Sequence, residues 1–504
     1  MPRLADLLEG LAQPGPGQDV PIAGLATDSR RVRSGYLFIA VAGIQRHGVE
    51  FAADALAAGA AAVLWEPTDG IDEASAPLRT ATVPVLTVPE LGQKVSLLAD
   101  RFYGRPSRDL FVIGVTGTDG KTSCTHFIAQ ALQGPEEKCG LIGTTGYGVY
   151  GALHAGPHTT PDALTLQEEL AALRDAGVPV VAMEVSSHGL DQGRVAGVEF
   201  DVAVLTNLSR DHLDYHGTET AYAQAKRRLF ALPGLGAAVL NLDDAFGRAL
   251  LAELPTGLPV VAYSLDVDAA RPLTRPNTRW LAASRVTTSM QGMQIDVDGS
   301  WGTGRLSTAL LGRFNASNLL AALAVLLLRG ADLEDALRRL AGVRTVPGRM
   351  EAFGDPARQP LVVVDYAHTP RALEQVLLAL REHCAGSLWC VFGAGGDRDA
   401  GKRPLMGAVA ERIADHLVLT DDNPRHEDAT QIVMDILAGM TDPDAVYVER
   451  NRAQAIAQAL ANSGPGDIVL VAGKGHEEYQ QVGDRRLPYS DRDQVRALLG
   501  EESP

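Results

Sequence analysis

Cysteine is scarce. Cys124, Cys139, Cys384 and Cys390 are the only four in 504 residues. None stands in a Cys-x-x-Cys pair or at metal-ligand spacing, so the thiols read as buried and reduced rather than as a metal centre. Long apolar runs are missing too. Gly, Pro or a charged residue interrupts every stretch before the roughly 20 residues of a membrane span, which excludes membrane insertion. MPRLADLLEG at the N-terminus has no signal-peptide apolar region, and the expectation is a cytoplasmic protein. Cations are outnumbered: 45 Lys and Arg face 62 Asp and Glu, a formal net charge of −17. That balance argues against a nucleic-acid partner, which favours a basic face. It leaves room for anionic small substrates, provided local arginines, helix N-termini and Mg²⁺ overcome the global field. No internal repeat or low-complexity segment is present.

What remains is ordinary globular material, 46% hydrophobic and 21% charged. The length predicts about three domains, each large enough for its own core. ATDSRRVRSGYLFIAVAG and FAADALAAGAAAVLW mark a small first unit, which closes at the turn-rich Gly104-Arg105-Pro106-Ser107. Beyond it, strands such as VPVVAMEV and FDVAVLTN alternate with helical patterns, the signature of a parallel α/β sheet. Residues 270–310 read as an antiparallel edge on that second domain. A third unit begins near Val343–Gly348. Its four apolar strands each empty into a polar loop: LVVVDYAHTP, LWCVFGAGGDRD, HLVLTDDNPRHED and DIVLVAGKGHEEY. Ligands of open parallel sheets bind beyond such strand ends. The expected limits are 1–104, 105–342 and 343–504.

FVIGVTGTDGKTSCTH, residues 111–126, joins an apolar strand to a glycine turn and a helix. Backbone N–H groups of such a turn surround phosphate oxygens, and the helix N-terminus adds its positive dipole end. Lys121 is placed to reach the terminal phosphates and the Thr122 hydroxyl to ligate Mg²⁺. The general phosphate loop has a Gly where this chain has Val115, so the turn Gly117–Thr122 is a shorter variant. Downstream, Glu184 ends a strand in MEVSSHGL, Asp211-His212 follows another, and Lys226 lies in the helical ETAYAQAKRRLF. Several such groups after one nucleotide loop predict convergence on it. Ser186, Ser187 and His188 do not make a hydrolase triad, because the Gly-x-Ser-x-Gly elbow is absent. Gly393-x-Gly395 does not make a dinucleotide site, because Arg398 occupies the third glycine position. Arg398 suits a carboxylate, and Asp422-Asn423-Pro424-Arg425 offers a second guanidinium. With Glu477 for an ammonium, these residues suggest recognition of a zwitterion.

GTDGKT, EVSSHGL, TNLSRDHLDYHG, AKRRLF, GRFNASNLLAA, VPGRME, DYAHTP, GDRD, DNPR and AGKGHE, in this order, resemble the motifs of the Mur ligases, ATP-dependent amide-forming enzymes of peptidoglycan synthesis. The resemblance spans nearly the whole chain. It implies an α/β architecture in which a central P-loop ATPase parallel sheet is flanked by an N-terminal UDP-binding α/β domain and a C-terminal Rossmann-like α/β domain. It also implies a reaction: ATP phosphorylates the D-glutamate carboxylate of UDP-MurNAc-L-Ala-D-Glu, and a diamino acid attacks the acyl phosphate. By the same matching, Gly117, Thr118, Asp119, Gly120, Lys121, Thr122 and Ser123 cradle ATP, and Asn315, Arg349 and Asp365 add nucleotide contacts. Thr122, Glu184 and His212 surround Mg²⁺, and Lys226 resembles the lysine such enzymes carry as a carbamate. Lys121, Glu184, His212 and Lys226 form the catalytic set. Ser29, Gln45, Arg46, Thr159, Thr160, Ser186, Gln192 and Arg194 match the UDP-MurNAc-dipeptide positions, with Ile44 a departure from the usual histidine. Arg398, Asp422, Asn423, Pro424, Arg425, Gly473 and Glu477 match the site for meso-diaminopimelate. Arg425 discriminates there, because a buried guanidinium loses its partner when L-lysine or L-ornithine replaces the dicarboxylic acid. The alternatives are the lysine- or ornithine-adding ligase, another Mur-type ligase, folylpolyglutamate synthetase, and a non-catalytic nucleotide switch or motor. A monomer is expected.

Overall fold

A computed structural model describes residues 1–43, 46–68, 76–79, 81–134, 137–271 and 275–501. Ile44 and Gln45 lie outside the described residues. The chain forms two compact units. The first comprises Met1–Ser264, Asp268–Leu281 and Ala321–Ala331; the second comprises Leu265–Val267, Ala282–Leu320 and Asp332–Pro504. The division passes through the strand Thr278–Ser289 and the helix Arg313–Leu328.

The first unit holds two sheets. Four short strands, Gly24–Ala26, Tyr36–Ala40, Ala62–Trp65 and Val85–Thr87, pair in parallel in chain order. Both faces of Tyr36–Ala40 are covered. Leu37 and Ile39 pack with Leu91 and Leu98 of the helix Leu91–Phe102, while Phe38 and Ala40 pack with Val49 and Ala52. That two-residue alternation is what the pleat requires. The same helix is stitched to the second sheet's loops: Gln93 Nε2 donates to Asp191 O at 2.9 Å and Ser96 Oγ accepts from Gly197 N at 3.0 Å.

The second sheet has eleven strands; from Val260–Ser264 it runs through Ala237–Asn241, Val202–Leu205, Phe111–Thr116, Val180–Glu184 and Cys139–Gly143 to the hairpin Gly146–Val149 and Ala152–His154. From Cys139–Gly143 to Val260–Ser264 all the pairings are parallel. Because chain order reverses on either side of Phe111–Thr116, the crevice beyond its carboxyl end is the topological switch point. Ligands of open α/β sheets bind there.

In the second unit a six-stranded sheet orders Glu351–Phe353, Leu361–Asp365, Ile468–Ala472, Leu388–Phe392, His416–Leu419 and Tyr447–Val448, with only the first strand antiparallel. The four strands expected from the sequence are therefore adjacent, and their polar loops leave the same edge. Residues 270–310 are strand-rich and form a sheet edge as read: Thr278–Ser289 and the antiparallel pair Gly292–Gly299 and Gly302–Thr308 continue the eleven-stranded sheet beyond Val260–Ser264. Most of this stretch belongs to the second compact unit. Among the described residues no helix is long and apolar enough to cross a membrane.

Candidate active site

The glycine turn lies at the switch point and is braced by the neighbouring strand's loop. Asn207 O accepts from Thr118 N at 2.9 Å, and Asn207 Oδ1 accepts from Asp119 N at 3.0 Å. Thr206 Oγ1 donates to Asp119 O at 2.6 Å. This bracing needs glycine at 117. A Cβ there would stand 1.8 Å from Thr206 Oγ1, far inside van der Waals contact. The helix Lys121–Leu132 follows Gly120 directly, and Lys121 Nζ folds back onto Gly117 O and Thr118 O, both at 2.9 Å.

Glu184, 1% exposed, ends the adjacent strand. Its carboxylate accepts from Thr122 Oγ1 at 3.0 Å and from Thr144 N at 2.8 Å. Burial raises its pKa, and the nearby Lys121 ammonium opposes that rise. A buried carboxylate beside a hydroxyl at a helix N-terminus is a hard oxygen set. It fits magnesium, which takes one or two carboxylates and completes its shell with substrate phosphates and water. Among the described residues no cluster of three or more His, Cys, Asp or Glu side chains is placed to hold a metal by itself.

Lys226 is also 1% exposed. It emerges from the helix Glu219–Arg227 to donate to Gly117 O at 2.6 Å, with its ammonium 4.6 Å from the Tyr222 ring centre. Burial first, and Lys121 second, push its pKa well below the usual lysine range. Tyr222 OH in turn meets Thr118 Oγ1 at 3.0 Å. His212 begins the turn Leu213–His216 in a left-handed conformation, φ 50°. It stacks edge-on with His188 at 4.9 Å and makes no hydrogen bond to Thr122 or Glu184.

A second network grows from the backbone of Glu184. Its carbonyl accepts from Thr160 Oγ1 at 2.9 Å, and Thr160 Oγ1 accepts from Ser186 N at 2.9 Å. Arg194 Nη1 donates to Thr160 O at 2.7 Å, its Nε to Gln192 Oε1 at 3.0 Å, and Gln192 reaches Tyr215 OH at 3.1 Å. Thr159 joins through Thr144, hydroxyl to hydroxyl at 3.0 Å. Ser186 Oγ caps the short helix Ser187–Asp191 by accepting from Gly189 N.

In the second unit, polar loops meet beyond the strand ends. Asn423 Oδ1 accepts from Lys474 Nζ at 3.0 Å, and Asn423 Nδ2 donates to Glu477 Oε2 at 2.9 Å. Lys474, 0% exposed, also reaches Glu477 Oε2 at 3.1 Å. One Glu477 oxygen is thus taken up by the protein, and Oε1 has no partner among the described residues. Gly473, φ 122°, lets Asp422 approach, since a Cβ would stand 2.7 Å from its Oδ2. Arg425 is half-buried and donates through Nη1 to Gly396 O at 2.7 Å. Arg398 is exposed, with no ion-pair partner among the described residues. Asp365, buried, accepts from Met350 N and Ala367 N at 2.8 Å each, and Arg349 lies 5.0 Å from the Tyr366 ring centre. Asn315, also buried, donates to Leu311 O at 2.8 Å.

Comparisons with known proteins meet this geometry. Family profiles match three consecutive stretches: "Mur ligase family, catalytic domain" over 21–103, "Mur ligase middle domain" over 115–326 and "Mur ligase, glutamate ligase domain" over 348–475. UDP-N-acetylmuramoyl-L-alanyl-D-glutamate--2,6-diaminopimelate ligase of Alkalilimnicola ehrlichii is 51% identical over 100% of this chain and 99% of its own. The chain belongs to the Mur ligase family. The enzyme of the same name from Pseudomonas aeruginosa is 51% identical over 97% of each chain. A solved structure with that name superposes on this Mur ligase with a TM-score of 0.74, at 37% identity over 95% of each chain.

Within the Mur ligase's first unit, Gly117–Ser123, Glu184 and Lys226 come together, and Thr159, Thr160, Ser186, Gln192 and Arg194 form one bonded chain beside them. Ser29 and Arg46 sit apart from that chain: Ser29 opens a 3-10 turn, and Arg46 pairs with Glu50 at 2.9 Å. Gln45 lies outside the described residues. In the second unit Asp422, Asn423, Pro424, Arg425, Gly473 and Glu477 are contiguous. Sequence reasoning missed Thr144, Tyr222, Thr206, Asn207 and Lys474. Lys474 stands inside the quoted AGKGHE, and a lysine in an apolar strand's exit loop was the available signal.

Proposed function

We propose that this Mur ligase joins meso-diaminopimelate to UDP-N-acetylmuramoyl-L-alanyl-D-glutamate in the cytoplasm, with ATP as co-substrate and Mg²⁺ as the metal. The observation that carries the choice of amino acid is Arg425. Its guanidinium is anchored by one N–H to Gly396 O, and the others remain for a carboxylate, beside an acid, Glu477, with an uncommitted oxygen. A zwitterion with a second carboxylate satisfies that set, and lysine or ornithine leaves the guanidinium unpaired.

A carboxylate is a poor electrophile, so the D-glutamate group must first acquire a leaving group. The backbone amides of Gly117–Thr122 and the helix N-terminus bind ATP's phosphates, and Lys121 turns from the loop carbonyls to neutralise the transferred charge. Thr122 and Glu184 would hold Mg²⁺, with His212 and Lys226 as further ligands, and the bound ion would supply Lewis-acid stabilisation of the transferred charge. Lys226 serves as a ligand only as an anion. Its depressed pKa favours the neutral amine, which adds to CO₂ and releases one proton to give the carbamate. Thr159, Thr160, Ser186, Gln192 and Arg194 position the dipeptide, with Ser29, Gln45 and Arg46 contributing from the N-terminal sheet. Asn315, Arg349 and Asp365 bind the nucleotide. Arg398, Asp422, Asn423, Arg425, Gly473 and Glu477 orient the diamino acid, whose amine attacks the acyl phosphate, loses a proton and expels phosphate.

Phosphate release should require both UDP-MurNAc-L-Ala-D-Glu and an amino acid. In a panel of meso-diaminopimelate, L-lysine and L-ornithine, kcat/KM for the first should exceed the others by about a hundredfold or more, the scale of leaving a half-buried guanidinium built for a carboxylate without one. Comparable values would overturn the assignment.

A further inference from the structure

The segment Asp422–His426 is held by Gly396 and Asp397, by Lys474 and Glu477, and by one small element, the hairpin Tyr479–Val482 and Arg485–Pro488. Gln480 Nε2 donates to Asp422 O at 2.8 Å. Gln481 N donates to Asn423 Oδ1 at 2.8 Å. Arg425 N donates to Gln481 O at 3.1 Å, and Gly483 N donates to Arg425 O at 2.7 Å, so Arg425 pairs with Val482 as a one-residue parallel strand. His426 Nε2 meets Asp484 Oδ1 at 3.1 Å. Pro424, the only residue of the five without such a bond, has no N–H to offer.

Arg425 needs this hold. Its φ of 51° is left-handed, a region non-glycine residues occupy only when their surroundings over-determine it. The hairpin takes both main-chain bonds of Arg425, and Gly396 O takes its Nη1. It has two four-residue strands, with Val482 and Leu487 about half exposed. Two such strands are marginal alone, so segment and hairpin stabilise each other.

We propose that the hairpin is the specificity-setting element of the amino-acid site, with Gln480 and Asp484 as positioning residues that aim the Arg425 guanidinium at the substrate's second carboxylate. The inference rests on the diaminopimelate reading above. Gln480 fixes the Asp422 carbonyl before Arg425, and Asp484 shares the His426 imidazole after it with Asp397.

The test compares the full-length enzyme with a Gln480→Ala, Asp484→Ala double variant. Asp484 is almost fully exposed, so its removal does not threaten folding, and D484A alone serves as a second variant. Two lost hydrogen bonds should raise KM for meso-diaminopimelate about tenfold while kcat and KM for ATP change less than about twofold. The preference over L-lysine should fall in proportion. Amide hydrogen exchange over residues 421–427 should quicken, a readout independent of activity. Unchanged preference over lysine, with or without faster exchange, overturns the proposal. So does a uniform loss of activity with a lowered Tm, which marks a merely structural role. If the unaltered enzyme does not turn over diaminopimelate, the substrate reading fails and the proposal falls with it. That result is read from the parent enzyme and is distinct from an effect of the variants.

Discussion

Lys226 is a cation in the wrong place unless its chemistry changes. It is buried against a carbonyl, near a second lysine, where the ammonium form is penalised. A carbamate on its amine would reverse the sign of the charge and make the position productive. Lys226→Ala should therefore lower kcat by about a hundredfold or more, the cost of removing a ligand or its supporting shell at a metal site. CO₂-depleted buffer should reduce the activity of the unaltered enzyme, and bicarbonate should restore it. An alanine variant with full activity would eliminate the role. Residues of this kind were legible in the sequence only through the resemblance, because a lone lysine in ETAYAQAKRRLF looks like a helix-surface residue. Thr144 and Lys474 were less legible still. Their importance comes from what lies opposite them in three dimensions, and neighbouring letters do not reveal that.

Elements carry the next level of constraint. The loop after Ile468–Ala472 supplies Gly473, Lys474 and Glu477, and its start is pinned by Arg452 and Asp491. Both side chains of that ion pair are 0% exposed, with Nε–Oδ1 at 2.7 Å, and Arg452 Nη2 also donates to Ala472 O at 2.9 Å. Replacing Arg452 by Met strands the Asp491 carboxylate in the interior. Chemical denaturation should show a loss of about 3–5 kcal/mol, the usual cost of breaking such a pair. Adding Asp491→Leu should recover part of it, since the uncompensated charge is then gone. Strands were easy to read because each is an unbroken apolar run ending in polar residues, and the parallel sheet followed from their alternation with helices. The hairpin Tyr479–Pro488 was not read. YQQVGDRRLP has neither an apolar run nor a strict alternation, and it is held by backbone bonds that leave no mark on composition.

At the scale of the molecule, each sheet has its own core, and titration reaches stability through buried acids. Burial pushes Asp100, on the helix Leu91–Phe102, up to about 6, against the pull of Arg105 and Arg108. Its folded pKa lies above its unfolded value, so its contribution is fully present below about pH 4 and is lost as pH rises through about 6. Asp100→Asn should thus raise stability by about 1–2 kcal/mol at about pH 8 and change it little at about pH 4. Thermal unfolding across that range checks it; a pH-independent difference would refute the linkage. The three-domain, parallel-sheet architecture was legible from motif order. The two-unit grouping of contacts was not, because sequence carries no measure of how closely successive domains pack.

Glu184 presents its carboxylate to Thr122 and its carbonyl to Thr160, so one residue joins two bonded networks, one through its side chain and one through its main chain. Because Thr160 meets a main-chain carbonyl, which every residue carries, a side-chain substitution at 184 disturbs the Thr122 network directly and leaves an acceptor for Thr160 in place. The DNPR loop has its own sheet, core and clamp. On the function proposed above, the choice of amino acid then sits in a module with its own packing, which substitution can alter without touching the Glu184 networks.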